Sequence, residues 1–171
     1  MRLIATLFLA LLVAAPTLAV AEEAAEGATT YPPASDFTLP SLAGENVALS
    51  DSLGEKVVVL SFWANWCAPC LKEMPKLVKM QEEFGDQVKI FWISVDDSRD
   101  EAKVSAIAKR FKLPEDQVLK DFERKVVSVY HKRGVPPFTV VIDKNSLKVM
   151  EKLGYTEGDE KKIHEKVAAA L

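Results

Sequence analysis

The chain of 171 residues is poor in several things that specialised sequences depend on. It has two cysteines, so a framework of several disulfides is excluded and one intrachain bridge is the most it can form. Its only imidazoles, His131 and His164, lie more than 60 positions beyond those cysteines and far from each other, which is no zinc-finger spacing. Seven glycines and nine prolines exclude a collagenous or low-complexity chain. Basic residues are not in excess: the net charge is −3, so no strongly positive face points to nucleic acid. There is also no internal repeat.

What remains is an ordinary globular composition, 49% hydrophobic and 27% charged, in a chain about one domain long. The beginning is the exception. Met1–Arg2 carries one positive charge, Leu3–Ala15 is an apolar run that Pro16 breaks, and Ala19-Val20-Ala21 forms an A-x-A cleavage pattern. The run is shorter than the roughly 20 residues that span a bilayer, so 1–21 reads as a signal peptide, with an uncleaved anchor as the alternative. No cysteine near the cleavage point offers a lipid attachment site. Cleavage removes one arginine and no acid, leaving a net charge of −4. Residues 22–33 are small, polar and proline-terminated, a flexible leader, and one domain is expected over 34–171. Both cysteines then lie in the exported part, in the periplasm, where disulfides form and persist.

Within the domain, Lys56–Trp63, Val88–Val95 and Phe138–Ile142 are short apolar runs without alternation, as expected of strands covered on both faces. Ala68–Phe84, Arg99–Phe111 and Asp159–Leu171 carry apolar residues at helical spacing. The turn Asp143-Lys144-Asn145-Ser146 separates Phe138–Ile142 from Lys148–Leu153, which predicts an antiparallel hairpin. Strand–helix–strand followed by hairpin–helix predicts an α/β fold, a three-layer α/β/α sandwich with a mixed central sheet.

The chemistry is expected where the first of these strands meets the first helix. In Cys67-Ala68-Pro69-Cys70 the two sulfurs, at i and i+3, can approach on one helical face. A helix N-terminus favours a thiolate at Cys67, and Pro69 starts the helix without losing a hydrogen bond. The pattern predicts that Cys67 attacks or is attacked and that Cys70 resolves the mixed disulfide. Two blander readings compete. A zinc site lacks its other two ligands, and a purely structural bridge would close only a tiny loop, where the entropic gain is smallest.

These residues resemble a known family. Phe62-Trp63-Ala64-Asn65-Trp66-Cys67-Ala68-Pro69-Cys70, followed by Glu73 and Pro75, is similar to the exported TlpA/ResA-like branch of the thioredoxin superfamily. Asp36-Phe37-Thr38-Leu39 resembles that branch's amino-terminal strand extension, and Gly134–Asp143 its proline-strand segment. The resemblance covers about residues 34–171 and implies a thioredoxin-like fold. It implies a proton-transferring role for Glu73, against which stands a surface glutamate favoured by the helix dipole. It implies that Pro75 kinks the helix, where an i→i−4 hydrogen bond is lost. Trp66, like Trp63, is expected to pack beside the site, and Pro69 and Pro75 to support it. A cis-proline loop should face the cysteines and offer backbone groups to a substrate strand. Strand register points to Pro137 as the cis residue, which leaves Pro136 with no N–H; counting forward from Tyr130 points to Pro136, with Val135 supplying the N–H. Where thioredoxin carries an aspartate, this chain has Ser61.

The resemblance implies a periplasmic thiol–disulfide oxidoreductase that reduces disulfides of exported proteins, an apocytochrome c segment among them. Re-reduction requires a membrane thiol–disulfide electron donor. No cofactor, metal or nucleic acid is called for. The competing readings are a disulfide-donating oxidase, a Cu(I)-binding chaperone using the two thiolates and His131, and a peroxide reductase, which lacks a separate peroxidatic-cysteine motif. Asp96-Asp97 reads as a solvated loop, His131 as a surface helical residue, and Lys161–Lys166 as a solvated helix face.

Overall fold

A computed structural model describes residues 31–171. The expected signal peptide and residues 22–30 of the expected leader lie outside the described residues. The elements run β1 (Thr38–Pro40), β2 (Asn46–Ala48), β3 (Val57–Trp63), α1 (Ala68–Phe84), β4 (Val88–Ser94), α2 (Glu101–Phe111), β5 (Val118–Lys120), α3 (Lys125–Tyr130), β6 (Phe138–Ile142), β7 (Lys148–Leu153) and α4 (Asp159–Ala170).

Five strands form one mixed sheet in the order β5-β4-β3-β6-β7. Strands β3, β4 and β5 are parallel, while β6 runs antiparallel to both β3 and β7. Every residue of β3 and β6 is buried. Apart from Ser61 and Thr139 these strands are apolar throughout, because helices cover both faces of the sheet. Two crossovers in the same direction, β3–α1–β4 and β4–α2–β5, put α1 and α2 on one face. There α1 packs against both α2 and α4. On the other face Tyr130 of α3 packs on Phe62 of β3, ring centroids 5.8 Å apart, and Phe62 packs on Phe138 of β6 at 5.9 Å. The three layers are those the element order implies.

Three short elements, β2, β5 and α3, are not visible in the sequence patterns. Strand β5 is three residues long, too short for a periodic signal, and α3 is six. The expected helix over Arg99–Phe111 begins two residues later, after a 3₁₀ turn at Ser98–Asp100. The amino-terminal strand is one arm of a hairpin, β1–β2, which reaches β5 through the Ser41–Leu119 bridge. Pro32 and Pro33, in the expected leader, lie along the start of β7: Lys148 N donates to Pro32 O at 2.9 Å, and Pro33 bridges Leu147. Among the described residues no helix is long and apolar enough to cross a membrane.

Candidate active site

Strand β3 delivers the chain to the carboxyl edge of the sheet at Trp63, and the turn Ala64–Trp66 leads into α1. Cys67 N donates to Ala64 O at 3.1 Å, closing that turn. Cys67 is the N-cap of α1: Cys70 N donates to its Sγ at 3.3 Å, and Pro69 occupies the first turn, where its missing N–H costs nothing. Cys67 and Cys70 form a disulfide with their Cα atoms 5.3 Å apart. Both are buried, at 4% and 3% exposure. Pro75 lies inside α1 on its exposed side.

The two tryptophans expected beside the site part company. Trp63 is buried behind it, while Trp66, next to Cys67, is 59% exposed. The turn is held instead by a residue read as loop solvation. Asp96, just past β4, is 2% exposed. Its carboxylate accepts from Asn65 N at 3.0 Å, from Asn65 Nδ2, and from Ser94 Oγ at 2.9 Å. Asp97 is exposed as expected, and caps the short 3₁₀ turn through Arg99 N.

Glu73, one turn along α1 from Cys70, is not a surface glutamate; it is 2% exposed. Its carboxyl has one hydrogen-bonding partner, Thr139 Oγ1, at 3.4 and 3.5 Å, which is too long for a strong O–H···O bond. Desolvation by burial pushes its pKa from 4.5 up to about 7, against the pull of Lys152 and Thr139 and reinforced by Asp159 and Glu160. Three other elements bring those groups. Thr139 of β6 pairs with Ser61 of β3 and Lys152 of β7, so it lies between them on the α1 face. Lys152 Nζ is held by Asp159 Oδ2, at 2.9 Å, and by Gly154 O. Tyr155 donates to Glu160 at 2.9 Å. Burial and the neighbouring acids hold its pKa up at about 12. Sequence reasoning missed Thr139, Lys152 and Asp159. The one available signal was the hairpin, which puts Thr139 and Lys152 in adjacent strands.

The Pro136–Pro137 peptide bond is cis, and both prolines are buried. The residue on the amino side of Pro137 therefore has no N–H to offer. Pro137 O accepts from Gly154 N at 2.8 Å, tying the loop to the end of β7, and Val135 stands 48% exposed. Before this loop, His131 ends α3 in an extended conformation rather than lying on a helix surface. Its ring packs on Phe138 at 4.9 Å, and its Nδ1 is buried without a partner. Among the described residues no group of three or more His, Cys, Asp or Glu side chains is placed to hold a metal ion. In the Lys161–Lys166 stretch, Ile163 is fully buried and His164 contacts Glu83 at 3.0 Å, so only part of that face is solvated.

Fold and site together define a thioredoxin-like domain with its CxxC disulfide at a strand-to-helix junction. Residues 32–152 match the AhpC/TSA family, and the chain belongs to that family. Among characterised proteins it is similar to the thioredoxin-like protein YneN of Bacillus subtilis (strain 168). The two are 40% identical over 81 residues, 47% of each chain. It is also similar to the thiol-disulfide oxidoreductase ResA of Geobacillus kaustophilus (strain HTA426), 37% identical over 113 residues, 66% of this chain and 62% of the relative. The match thus spans about half to two-thirds of those relatives' length. Among solved structures, the thioredoxin domain of a thiol-disulfide oxidoreductase from Bacteroides vulgatus superposes with a TM-score of 0.66 at 28% identity, covering 81% of this chain and 97% of that one.

Proposed function

We propose that the protein is a periplasmic thiol–disulfide oxidoreductase that reduces disulfides of exported proteins through Cys67 and Cys70. The observation that carries the reading is the Cys67–Cys70 disulfide at the N-terminus of α1, with the buried Glu73 carboxyl one turn away. In the reduced protein, the amide of Cys70 and the helix N-terminus favour negative charge on the Cys67 sulfur. That thiolate attacks a substrate disulfide, forming a Cys67–substrate bond and expelling one substrate thiolate. Cys70, its proton passed to Glu73, then attacks the Cys67 sulfur. The Cys67–Cys70 bond forms, the second substrate thiolate leaves, and two electrons have moved to the substrate. A carboxyl with a pKa of about 7 is suited to both taking and returning that proton near neutrality.

Export, and hence the periplasm, is supported by the signal-like sequence at 1–21. An exported dithiol needs a membrane thiol–disulfide donor to stay reduced. The C-x-x-C-H segment of an apocytochrome c is a substrate whose paired cysteines fit this chemistry. Ala68-Pro69 places no histidine between the cysteines to favour the thiolate further, which supports reduction over disulfide donation.

The test is the reduction potential of the Cys67–Cys70 couple, read by equilibration in thiol buffers, acid quench and mass. A value near about −270 mV is expected; one near about −120 mV makes the protein a disulfide donor. Cys70→Ser should accumulate a mixed disulfide through Cys67 with its substrate, and failure to trap any partner would count against the exchange mechanism.

A further inference from the structure

The loop that enters β6 runs beside the turn that carries Cys67. Phe138 of β6 pairs antiparallel with Phe62 of β3. Followed further in the same register, Pro137 stands abreast of Trp63, and Pro136 abreast of Ala64, whose carbonyl accepts from Cys67 N at 3.1 Å. Gly134, Pro136 and Pro137 are buried, so Val135, 48% exposed, is what this loop shows to a polypeptide approaching Cys67. The amino side of the loop is held by a local bond, Gly134 N to His131 O at 2.7 Å, and by one distant side chain. Arg124, half-buried at the N-cap of α3, donates from its guanidinium to Gly134 O, ten positions on. The same nitrogen would lie 3.6 Å from a Cβ on Gly134, so the guanidinium rests against the glycine itself.

Arg124 adopts φ +58°, the left-handed region that any side chain makes costly. The turn it closes, Arg124 N to Asp121 O at 2.8 Å, needs only that backbone, which a glycine supplies without strain. What the arginine adds is the bond to Gly134 O. Asp121 is in turn seated on the sheet, its N–H donating to Ser94 O at 2.9 Å. The loop is thereby tied to the end of β4, where Ser94 Oγ also bonds Asp96 behind the Cys67 turn.

We infer that Arg124 is a positioning residue for polypeptide substrates: through Gly134 O it fixes Val135 beside Cys67. The inference rests on the exchange reaction proposed above and deepens it, by naming a residue that acts on substrate binding without touching the reacting sulfurs. A loop already ordered spares the complex the entropy of ordering it on binding. A gain of this kind is shared by bound substrate and transition state, so it is read in KM and leaves kcat alone.

The test uses the reduced protein with a neutral peptide closed by one disulfide, and with bis(2-hydroxyethyl) disulfide as a small substrate. Arg124→Gly keeps the turn and removes the bond to Gly134 O. It should raise KM for the peptide about fivefold at unaltered kcat. Amide exchange at Gly134 should quicken about tenfold, and the reduction potential of the Cys67–Cys70 couple should not move. Arg124→Lys keeps a cationic donor and should recover most of the KM. Arg110→Met, which removes an exposed arginine from α2, should leave KM and amide exchange as in the wild type. An unchanged KM in Arg124→Gly overturns the inference, and with a lowered denaturation midpoint it would make Arg124 a structural brace alone. A fall in kcat without a rise in KM, a shifted potential, or an equal rise in KM in Arg110→Met also overturns it. Failure of the wild type to reduce either disulfide would instead overturn the exchange reaction, and the positioning role with it.

Discussion

Two buried carboxylates flank the same strand-to-helix turn, and the molecule treats them in opposite ways. Asp96 and Glu73 are each 2% exposed. Asp96 accepts from the backbone and side chain of Asn65 and from Ser94 Oγ, so its burial is offset by hydrogen bonds, and the carboxylate ties the end of β4 to the turn before Cys67. A third acid, Asp121, also accepts backbone bonds, from Val126 N at 3.2 Å and Val127 N at 2.7 Å at the start of α3, although burial still raises its pKa. Glu73 has one long contact, and its carboxyl is held near neutrality in pKa. The fully bonded acids are braces. The under-bonded one is left able to bind and release a proton beside the cysteines.

The contrast can be broken first at Asp96. Asp96→Ala leaves the Asn65 amide groups and Ser94 Oγ without their acceptor and should cost about 4 kcal/mol in denaturant unfolding. A loss below about 1 kcal/mol would mean that Asp96 braces nothing.

Glu73→Gln should act in the opposite direction, and only above acid pH. Because the folded-state pKa is raised from 4.5 to about 7, the unfolded chain releases this proton first as pH rises. Wild-type stability therefore falls between those two values and levels off above the upper one. Glu73→Gln removes that loss and should be more stable by up to about 3 kcal/mol at pH 8, with no difference near pH 4. Parallel stability curves across that range would refute the burial account of Glu73.

Lys152→Met sharpens the comparison further. It deletes the ammonium that opposes burial and frees Asp159, which reinforces it, so the Glu73 midpoint should climb by about one unit. Carboxyl-carbon NMR of labelled Glu73 reads this directly, and an unmoved midpoint would remove Lys152 from the site. The smallest effect on stability is expected at Trp66. Trp66→Ala should change it by less than about 0.5 kcal/mol, since the ring is exposed, while slowing exchange with protein disulfides severalfold. A larger loss of stability would make Trp66 a packing residue after all.

The mixed sheet was legible because β3, β4 and β6 are covered on both faces and are apolar but for Ser61, Lys89, Ser94 and Thr139. Strand β5 and α3 were not legible, since three and six residues are too few for any period to show. At the site, the cysteines, Pro69 and Glu73 stand within seven residues of one another and could be read together. Asp96 could not be joined to Asn65, 31 positions away, nor Thr139 to Glu73, 66 positions away, without the sheet register. His131 was misread for a related reason: a basic residue after a short apolar stretch looks like a helix surface, yet its ring closes over Phe138.

By itself the sequence determined the disulfide-bearing junction, because a buried strand, an N-cap cysteine and a first-turn proline are local features that need no distant partner. The tertiary structure alone decided what surrounds that junction: that of the two candidate prolines Pro137 is the cis one, that Asp96 holds the turn, and that Glu73 takes a pKa near 7. A group's proton affinity is set by the water taken from it and the charges brought to it, and here β6, β7 and α4 supply both.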